Sequence, residues 1–323
     1  MISASLHGLG RFGQHLLHAW LSNSGTVSID QACDPTLSAQ RFCALLHDHD
    51  RLDFSQALPA VDNNSLWLTR ADGVRHKIDF HNGTAASAPW LGRSDVWLEC
   101  SGLHTKGSDC APFLTGRTQR VLISATSWDA DQTLIMGFNH TSWRSDARVL
   151  SYGSCSVNAF VPLANYIHTH HGLLHAQVNI VHNSPMYRQL ASPQRASCTL
   201  AGMAPRLLPF LSEDNLYISY VLIPYTGASL IDFQFRVRTP CSREVFTQAL
   251  RKACSASLQN RYALVQDDPG AQGAIGSPMN ALFYESGIRC AEDTIGLCGY
   301  MDNENSAVRY LELLQWLAQK IAL

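Results

Sequence analysis

The opening of the chain constrains its fold more than any other feature. Residues 2–6 (Ile-Ser-Ala-Ser-Leu) predict a short strand, and the turn Gly8-Leu9-Gly10-Arg11-Phe12-Gly13 follows directly. Beyond it Leu16, Leu17, Trp20 and Leu21 recur at helical spacing. Residues 27–32 predict a second strand, which runs into Asp34-Pro35. Strand, glycine turn, helix, strand and acid together make the first βαβ unit of a dinucleotide-binding domain. The glycines of such a turn serve separate ends, allowing a tight bend, close approach of backbone to a pyrophosphate, and packing of helix on strand. The helix N-terminus then offers unpaired N–H groups to phosphate. Asp34 lies about 20 residues beyond Gly13, the spacing of a carboxylate that bonds the adenosine ribose. An acid there repels a 2′-phosphate, so the expected cofactor is NAD rather than NADP.

The first half of the chain keeps this alternation. Residues 38–46 predict a helix, and residues 95–100, 121–125 and 149–152 predict strands. Residues 66–78 read as a polar hairpin rather than another crossover. Helices between parallel strands predict a Rossmann-type doubly wound α/β sheet. The second half changes period. After a helix at 157–168, residues 177–182, 216–223 and 230–238 alternate every two residues, as half-buried strands do. Helices are expected near 243–256 and 307–323. The predicted organisation is an NAD-binding domain over 1–154 and an α+β catalytic domain over 155–302, built on a mainly antiparallel sheet. The C-terminal helix, 303–323, is expected to pack back on the first domain.

Composition narrows the function classes. The chain has 323 residues, of which 46% are hydrophobic and 15% charged, enough apolar material for a large core. A net charge of −2 gives no reason to expect nucleic acid or an anionic membrane as partner. No apolar run reaches the roughly 18 residues that cross a bilayer, and the N-terminus lacks the pattern of a signal peptide. A cytoplasmic protein is expected. The ten cysteines follow no repeated spacing, so reduced, buried thiols are expected. Among fourteen histidines, His47/His49 and His168/His170/His171 invite a metal reading. Neither group has a carboxylate or Cys at ligand spacing, and no metal is expected.

Cys155 sits where a predicted strand gives way to a helix, in Ser154-Cys155-Ser156-Val157-Asn158. A helix N-terminus favours the thiolate, the reactive form. His182 ends a later strand. With these residues in view the chain resembles the glyceraldehyde-3-phosphate dehydrogenase family along almost its full length. The glycine turn is similar to that family's Gly-Phe-Gly-Arg-Ile-Gly. Asp34-Pro35, Glu99-Cys100-Ser101-Gly102, Ile123-Ser124-Ala125, Met136-Gly137-Phe138-Asn139-His140, the Cys155 segment, His182 and Asp302-Asn303-Glu304 follow in the family's order. His182-Asn183-Ser184-Pro185-Met186, Gln189 and Leu200-Ala201-Gly202 look closer to the erythrose-4-phosphate dehydrogenase branch.

The resemblance implies NAD-dependent oxidation of an aldehyde, with Cys155 as nucleophile and His182 as base. It implies cofactor contacts from Gly8, Gly10, Arg11, Phe12, Gly13, Asp34, Ser101, Gly102 and Ser124, and an amide contact from Asn303. Ser154, Ser156, Thr199 and Arg188 are the candidates for holding substrate. A homo-oligomer, dimer or tetramer, is expected.

The departures gather at the substrate's phosphate sites. Alignment on Ile231-Asp232-Phe233 puts Leu222 where the family carries an arginine, removing a charge and a fixed donor fork. Pro185 and Tyr187 stand where threonines are expected, the stretch between His182 and Thr199 is short, and Ala307 replaces a tyrosine. An altered substrate follows, with Arg188, Arg195 or Arg206 as candidate replacement charges. The alternative is an inactive nucleotide-binding paralogue with a regulatory or interaction role.

Overall fold

The computed structural model describes residues 1–23, 25–184 and 190–321. It divides into two compact units, Met1–Gly153 with Ala307–Leu323, and Ser154–Ser306.

Among the described residues the first unit carries nine strands: β1 (Ile2–His7), β2 (Val27–Asp34), β3 (Ala60–Asp62), β4 (Ser65–Thr69), β5 (Arg75–Asn82), β6 (Val96–Glu99), β7 (Arg120–Ile123), β8 (Gln132–Thr133) and β9 (Val149–Ser151). Their order is β3-β4-β5-β2-β1-β6-β7-β9-β8. From β5 through β8 neighbouring strands run parallel, while β3, β4 and β5 form an antiparallel meander at one edge. The hairpin read as polar therefore does more than decorate the domain: β5 extends the main sheet by pairing with β2. β1 lies between β2 and β6, so the connections wind outward in opposite directions from that point. The carboxyl ends of strands at such a reversal are where open α/β sheets receive ligands.

Alternation along β1 sends Ala4 and Leu6 to one face and Ser5 and His7 to the other. The first face is covered by α1 (Arg11–Leu21), α2 (Ala39–His47) and the C-terminal helix Ala307–Ile321. α1 buries Leu16, Leu17, Trp20 and Leu21, and the Trp20 indole N–H donates to the Val27 carbonyl over 2.9 Å. The C-terminal helix packs on α1, and its Tyr310 hydroxyl donates to the Leu122 carbonyl over 2.6 Å. The opposite face holds a smaller cluster around Trp90, Trp97, Cys110 and Phe113, with α3 (Gly107–Cys110) beside it.

The second unit begins with α4 (Cys155–His171) and continues through β10 (Leu173–Ser184), β11 (Gln194–Arg195), α5 (Leu200–Leu207), β12 (Leu216–Pro224), β13 (Ser229–Val237), α6 (Arg243–Cys254), β14 (Tyr262–Val265), β15 (Ala281–Ala291) and β16 (Thr294–Met301). The sheet order is β11-β12-β10-β13-β16-β15-β14. It is mainly antiparallel; β10–β12 and β14–β15 are its parallel pairs. α4 packs on β10 and β13 through Phe160, which meets Phe233 and Phe235 at ring separations of 5.5 and 5.9 Å.

Pro162 lies inside α4 and cannot donate to the Asn158 carbonyl. The fold fills that gap from outside the helix. Asn280 Nδ2 donates to the freed Asn158 carbonyl over 2.9 Å. The Tyr262 hydroxyl enters the next rung, accepting from Leu163 N at 3.0 Å and donating to the Ala159 carbonyl at 2.9 Å. α4 thus stays continuous and fully buried through its middle, and its first residue, Cys155, is carried on a helix held from outside.

Candidate active site

At the end of β1 the glycine turn is built to the limit of its space. Gly8 has φ +91°, and a Cβ there would meet Ser101 Cα at 2.3 Å. A Cβ on Gly13 would meet the Gly8 carbonyl oxygen at 2.2 Å. Gly10 differs, because a Cβ there would have nothing within 4 Å. Two glycines are therefore demanded by the fold, and the third faces open space at the N-terminus of α1. Asp34, buried at the end of β2, accepts from Leu9 N at 2.9 Å through one oxygen. Its other oxygen accepts from Thr36 N and Oγ1 at 2.8 and 2.7 Å. An ionised carboxylate has about four acceptor positions, so one remains for a hydroxyl.

Ser101 donates from its backbone N–H to Glu99 at 2.9 Å and from its hydroxyl to the same carboxylate oxygen. Gly102 follows with φ +71° and open space at its Cβ position. Ser124 is fixed through its backbone N–H, which donates to the Glu99 carbonyl at 2.9 Å. Arg11 is half-buried at the first position of α1. Phe12 turns inward, edge-on to Tyr152 and Tyr310 at 5.6 and 5.5 Å.

In the second unit Cys155 is the first residue of α4, and the Ser154 hydroxyl caps the helix by accepting from Val157 N at 3.4 Å. Because α4 lies along β10, its N-terminus reaches the strand's far end. Cys155 Sγ stands 3.8 Å from His182 Nε2. His182 Nδ1 is 2.7 Å from the Asn183 carbonyl. A carbonyl only accepts, so Nδ1 carries the proton and Nε2 presents its lone pair to the thiol.

The expected lowering of the thiol by the helix N-terminus does not prevail. Burial, reinforced by neighbouring Cys198, pushes Cys155 up to about 12, against the downward pull of the Ser156 and Cys155 backbone N–H groups. The half-buried residue is neutral until a base removes its proton, and His182 is the base within reach.

Hydroxyls surround this pair. Ser154 Oγ lies 3.2 Å from both Ser156 Oγ and Thr199 Oγ1. Cys198 Sγ lies 3.5 Å from Ser156 Oγ, a neighbour that sequence reasoning passed over. Asn303 donates through Nδ2 to Asn183 Oδ1, which also accepts from Ser229 Oγ at 3.1 Å. The Asn303 Oδ1 atom is buried and has no partner among the described residues.

Leu222 pairs directly with His182 across β10 and β12, so the two side chains share a face. On the other side of β12, Gln194 pairs with Leu222 and Arg195 with Val221. Arg195 therefore belongs to the face opposite His182. Arg206 is exposed in the last turn of α5. Arg188, and the stretch 185–189 on which the erythrose likeness partly rests, lie outside the described residues.

The suspected histidine groups are engaged one by one. His168 stacks on Phe210 with rings 3.7 Å apart, while His170 and His171 bond the Tyr166 and Thr239 carbonyls over 2.8 and 3.2 Å. His49 Nδ1 accepts from Arg51 N and Leu52 N, and His47 Nε2 bonds the Pro59 carbonyl. Among the described residues the donors brought together are instead His7, Glu99 and His104.

A doubly wound α/β unit and an α+β unit with a half-buried thiol–imidazole pair define a class of two-domain dehydrogenase folds. No family model matches the chain. It is 23% identical to a glyceraldehyde-3-phosphate dehydrogenase of Cochliobolus lunatus, over 99% of this chain and 98% of that protein. A chloroplastic glyceraldehyde-3-phosphate dehydrogenase of Arabidopsis thaliana is 24% identical over 97% of this chain and 77% of its own. The Pseudomonas aeruginosa glyceraldehyde-3-phosphate dehydrogenase is 26% identical over 79% of this chain and 80% of its own. The chain is thus similar, at low identity and over most or nearly all of its length, to glyceraldehyde-3-phosphate dehydrogenases.

Proposed function

We propose that this chain is an NAD-dependent dehydrogenase that oxidises a sugar-type aldehyde through a thioester on Cys155. The observation that carries the reading is the 3.8 Å approach of Cys155 Sγ to the unprotonated nitrogen of His182. The chain's own residues fit the cofactor. Gly10 leaves room for phosphate at a helix N-terminus, Asp34 keeps one acceptor position for a ribose hydroxyl, and Asn303 Oδ1 offers an acceptor for a carboxamide N–H.

His182 Nε2 takes the thiol proton as Cys155 Sγ adds to the aldehyde carbon and passes it to the aldehyde oxygen, giving a thiohemiacetal and a neutral imidazole. The Cys155 backbone N–H at the start of α4 faces the oxygen that gains charge. The hydroxyls of Ser154, Ser156 and Thr199 hold the substrate's oxygens. NAD, when bound, supplies the hydride acceptor. His182 accepts the hydroxyl proton of the thiohemiacetal as its C–H bond breaks, leaving a thioester. Water or phosphate then releases the acyl group as acid or acyl phosphate and returns the thiol. Leu222 beside His182 supports acyl release by water and a substrate without the usual phosphate grip.

NADH formation, followed by absorbance with phosphorylated and free aldehydes, each with and without phosphate, tests the reading. Turnover lost in Cys155→Ala is the expected result. NAD binding without turnover on any aldehyde would favour the inactive nucleotide-binding alternative.

A further inference from the structure

We infer that His7, Glu99 and His104 form a binding site for one divalent transition-metal ion of the zinc type. His7 and Glu99 are the last residues of β1 and β6, 92 positions apart, and they pair in register across the sheet. His104 comes from the loop that follows Ser101. His7 Nδ1 is 2.6 Å from Glu99 Oε2, and one ligand atom from each of the three residues lies within 4.8 Å of the others.

Their surroundings suit a metal better than a surface ion pair. His7 and Glu99 are each only 1% exposed, so a carboxylate has been taken out of water. Glu99 Oε1 is occupied by the Ser101 N–H and hydroxyl, while Oε2 faces His7 and also accepts a long 3.5 Å hydrogen bond from the Trp97 indole N–H. That is a ligand oriented by outer hydrogen bonds, as carboxylates at metal centres are. His104 is half-buried, with its ring edge-on to Phe113 at 5.2 Å, and Trp97 stacks on Phe113 at 4.7 Å. Two imidazoles and one carboxylate in an apolar shell make a nitrogen–oxygen donor set for zinc with a fourth position left to water. Ligands about 2.0–2.1 Å from a tetrahedral ion stand roughly 3.3 Å apart, so the site forms when His7 Nδ1 and Glu99 Oε2, 2.6 Å apart without the ion, separate slightly and His104 moves inward. The ion replaces the proton shared by His7 Nδ1 and Glu99 Oε2, and that proton passes to solvent. It thereby clasps β1, β6 and the loop at Ser101 beneath the glycine turn.

The full-length protein is stripped with a chelator and titrated with Co2+, then with Zn2+ in competition. The expected result is one equivalent bound, with the intense visible bands of four-coordinate Co2+, bleached by Zn2+. His104→Gln, placed at a half-buried position, is expected to weaken binding at least tenfold while its far-ultraviolet circular dichroism stays that of the parent. Cys155→Ala is expected to keep the metal, which separates this site from the thiol–imidazole pair and from any outcome of the activity assay. Equal binding by His104→Gln and the parent, loss of binding in Cys155→Ala, or no four-coordinate band would overturn the inference.

Discussion

Leu222 stands beside His182, one strand over and in register, with its isobutyl group on the same face as the imidazole. Whatever charge the substrate carries near the base meets an apolar surface there. Leu222→Arg places a guanidinium on that face, and a charge-assisted hydrogen bond contributes about 1.5–3 kcal/mol. The ratio of kcat/KM for phosphorylated over free aldehydes is expected to rise roughly tenfold or more, as about 1.4 kcal/mol is a factor of ten. An unchanged ratio would show that Leu222 does not set substrate choice.

His182 is the base within reach of the thiol, with its tautomer fixed by the Asn183 carbonyl. General base catalysis contributes about 10²–10⁴-fold. His182→Gln is expected to lower kcat by that order with NAD affinity retained, as read by steady-state kinetics beside a binding titration.

The pH response of Cys155 follows from its burial. Its folded value of about 12 lies above the ordinary 9.0, so the fold favours the neutral thiol. That contribution is complete below pH 9.0 and is lost as pH climbs toward about 12. Thermal stability is expected to fall above pH 9.0, and less steeply in Cys155→Ala. Alkylation of the free protein by iodoacetamide at Cys155 is expected to rise through the same range. A plateau of alkylation already reached near neutral pH would contradict this account.

Tyr262 mends the helix where Pro162 interrupts it. Tyr262→Phe leaves the Leu163 N–H and the Ala159 carbonyl without their partner in a buried setting. An unsatisfied buried group costs about 1–3 kcal/mol. A denaturant midpoint lowered by that amount is expected, together with a lower kcat, since Cys155 rides on the same helix. A midpoint equal to the parent's would remove Tyr262 from this role.

The glycines of the first turn divide by function. Gly8→Ala is expected to unfold or strongly destabilise the first unit, because the new Cβ would overlap Ser101. Gly10→Ala is expected to melt like the parent yet bind NAD more weakly, because its Cβ fills open space. Melting curves with and without NAD distinguish the two, and Gly10→Ala binding NAD normally would place the cofactor elsewhere.

Some of this was legible in the residues for plain physical reasons. The turn at Gly8–Gly13 and the acid at Asp34 are local, and their spacing carries the geometry. The strand at 230–238 shows a clean two-residue period, and those at 177–182 and 216–223 a looser one. β15 and β16 are harder to read because Gly287, Gly296 and Gly299 interrupt the apolar pattern that marks a strand. His7, Glu99 and His104 carry no recognisable ligand spacing; the register of β1 with β6 unites the first two, and the loop after β6 brings in the third. A lowered thiol is the wrong expectation because helix position is visible in sequence, whereas burial of Cys155 beside Cys198 is not.

The most direct test of the central claim is a mass measurement on the acylated protein. The chain is mixed with NAD and a substrate aldehyde without phosphate, quenched in acid, digested and analysed by mass spectrometry. The account predicts the acyl mass on the peptide bearing Cys155, formed in step with NADH and absent in Cys155→Ala. Turnover that persists in Cys155→Ala, or an acyl group carried on another residue, would contradict it.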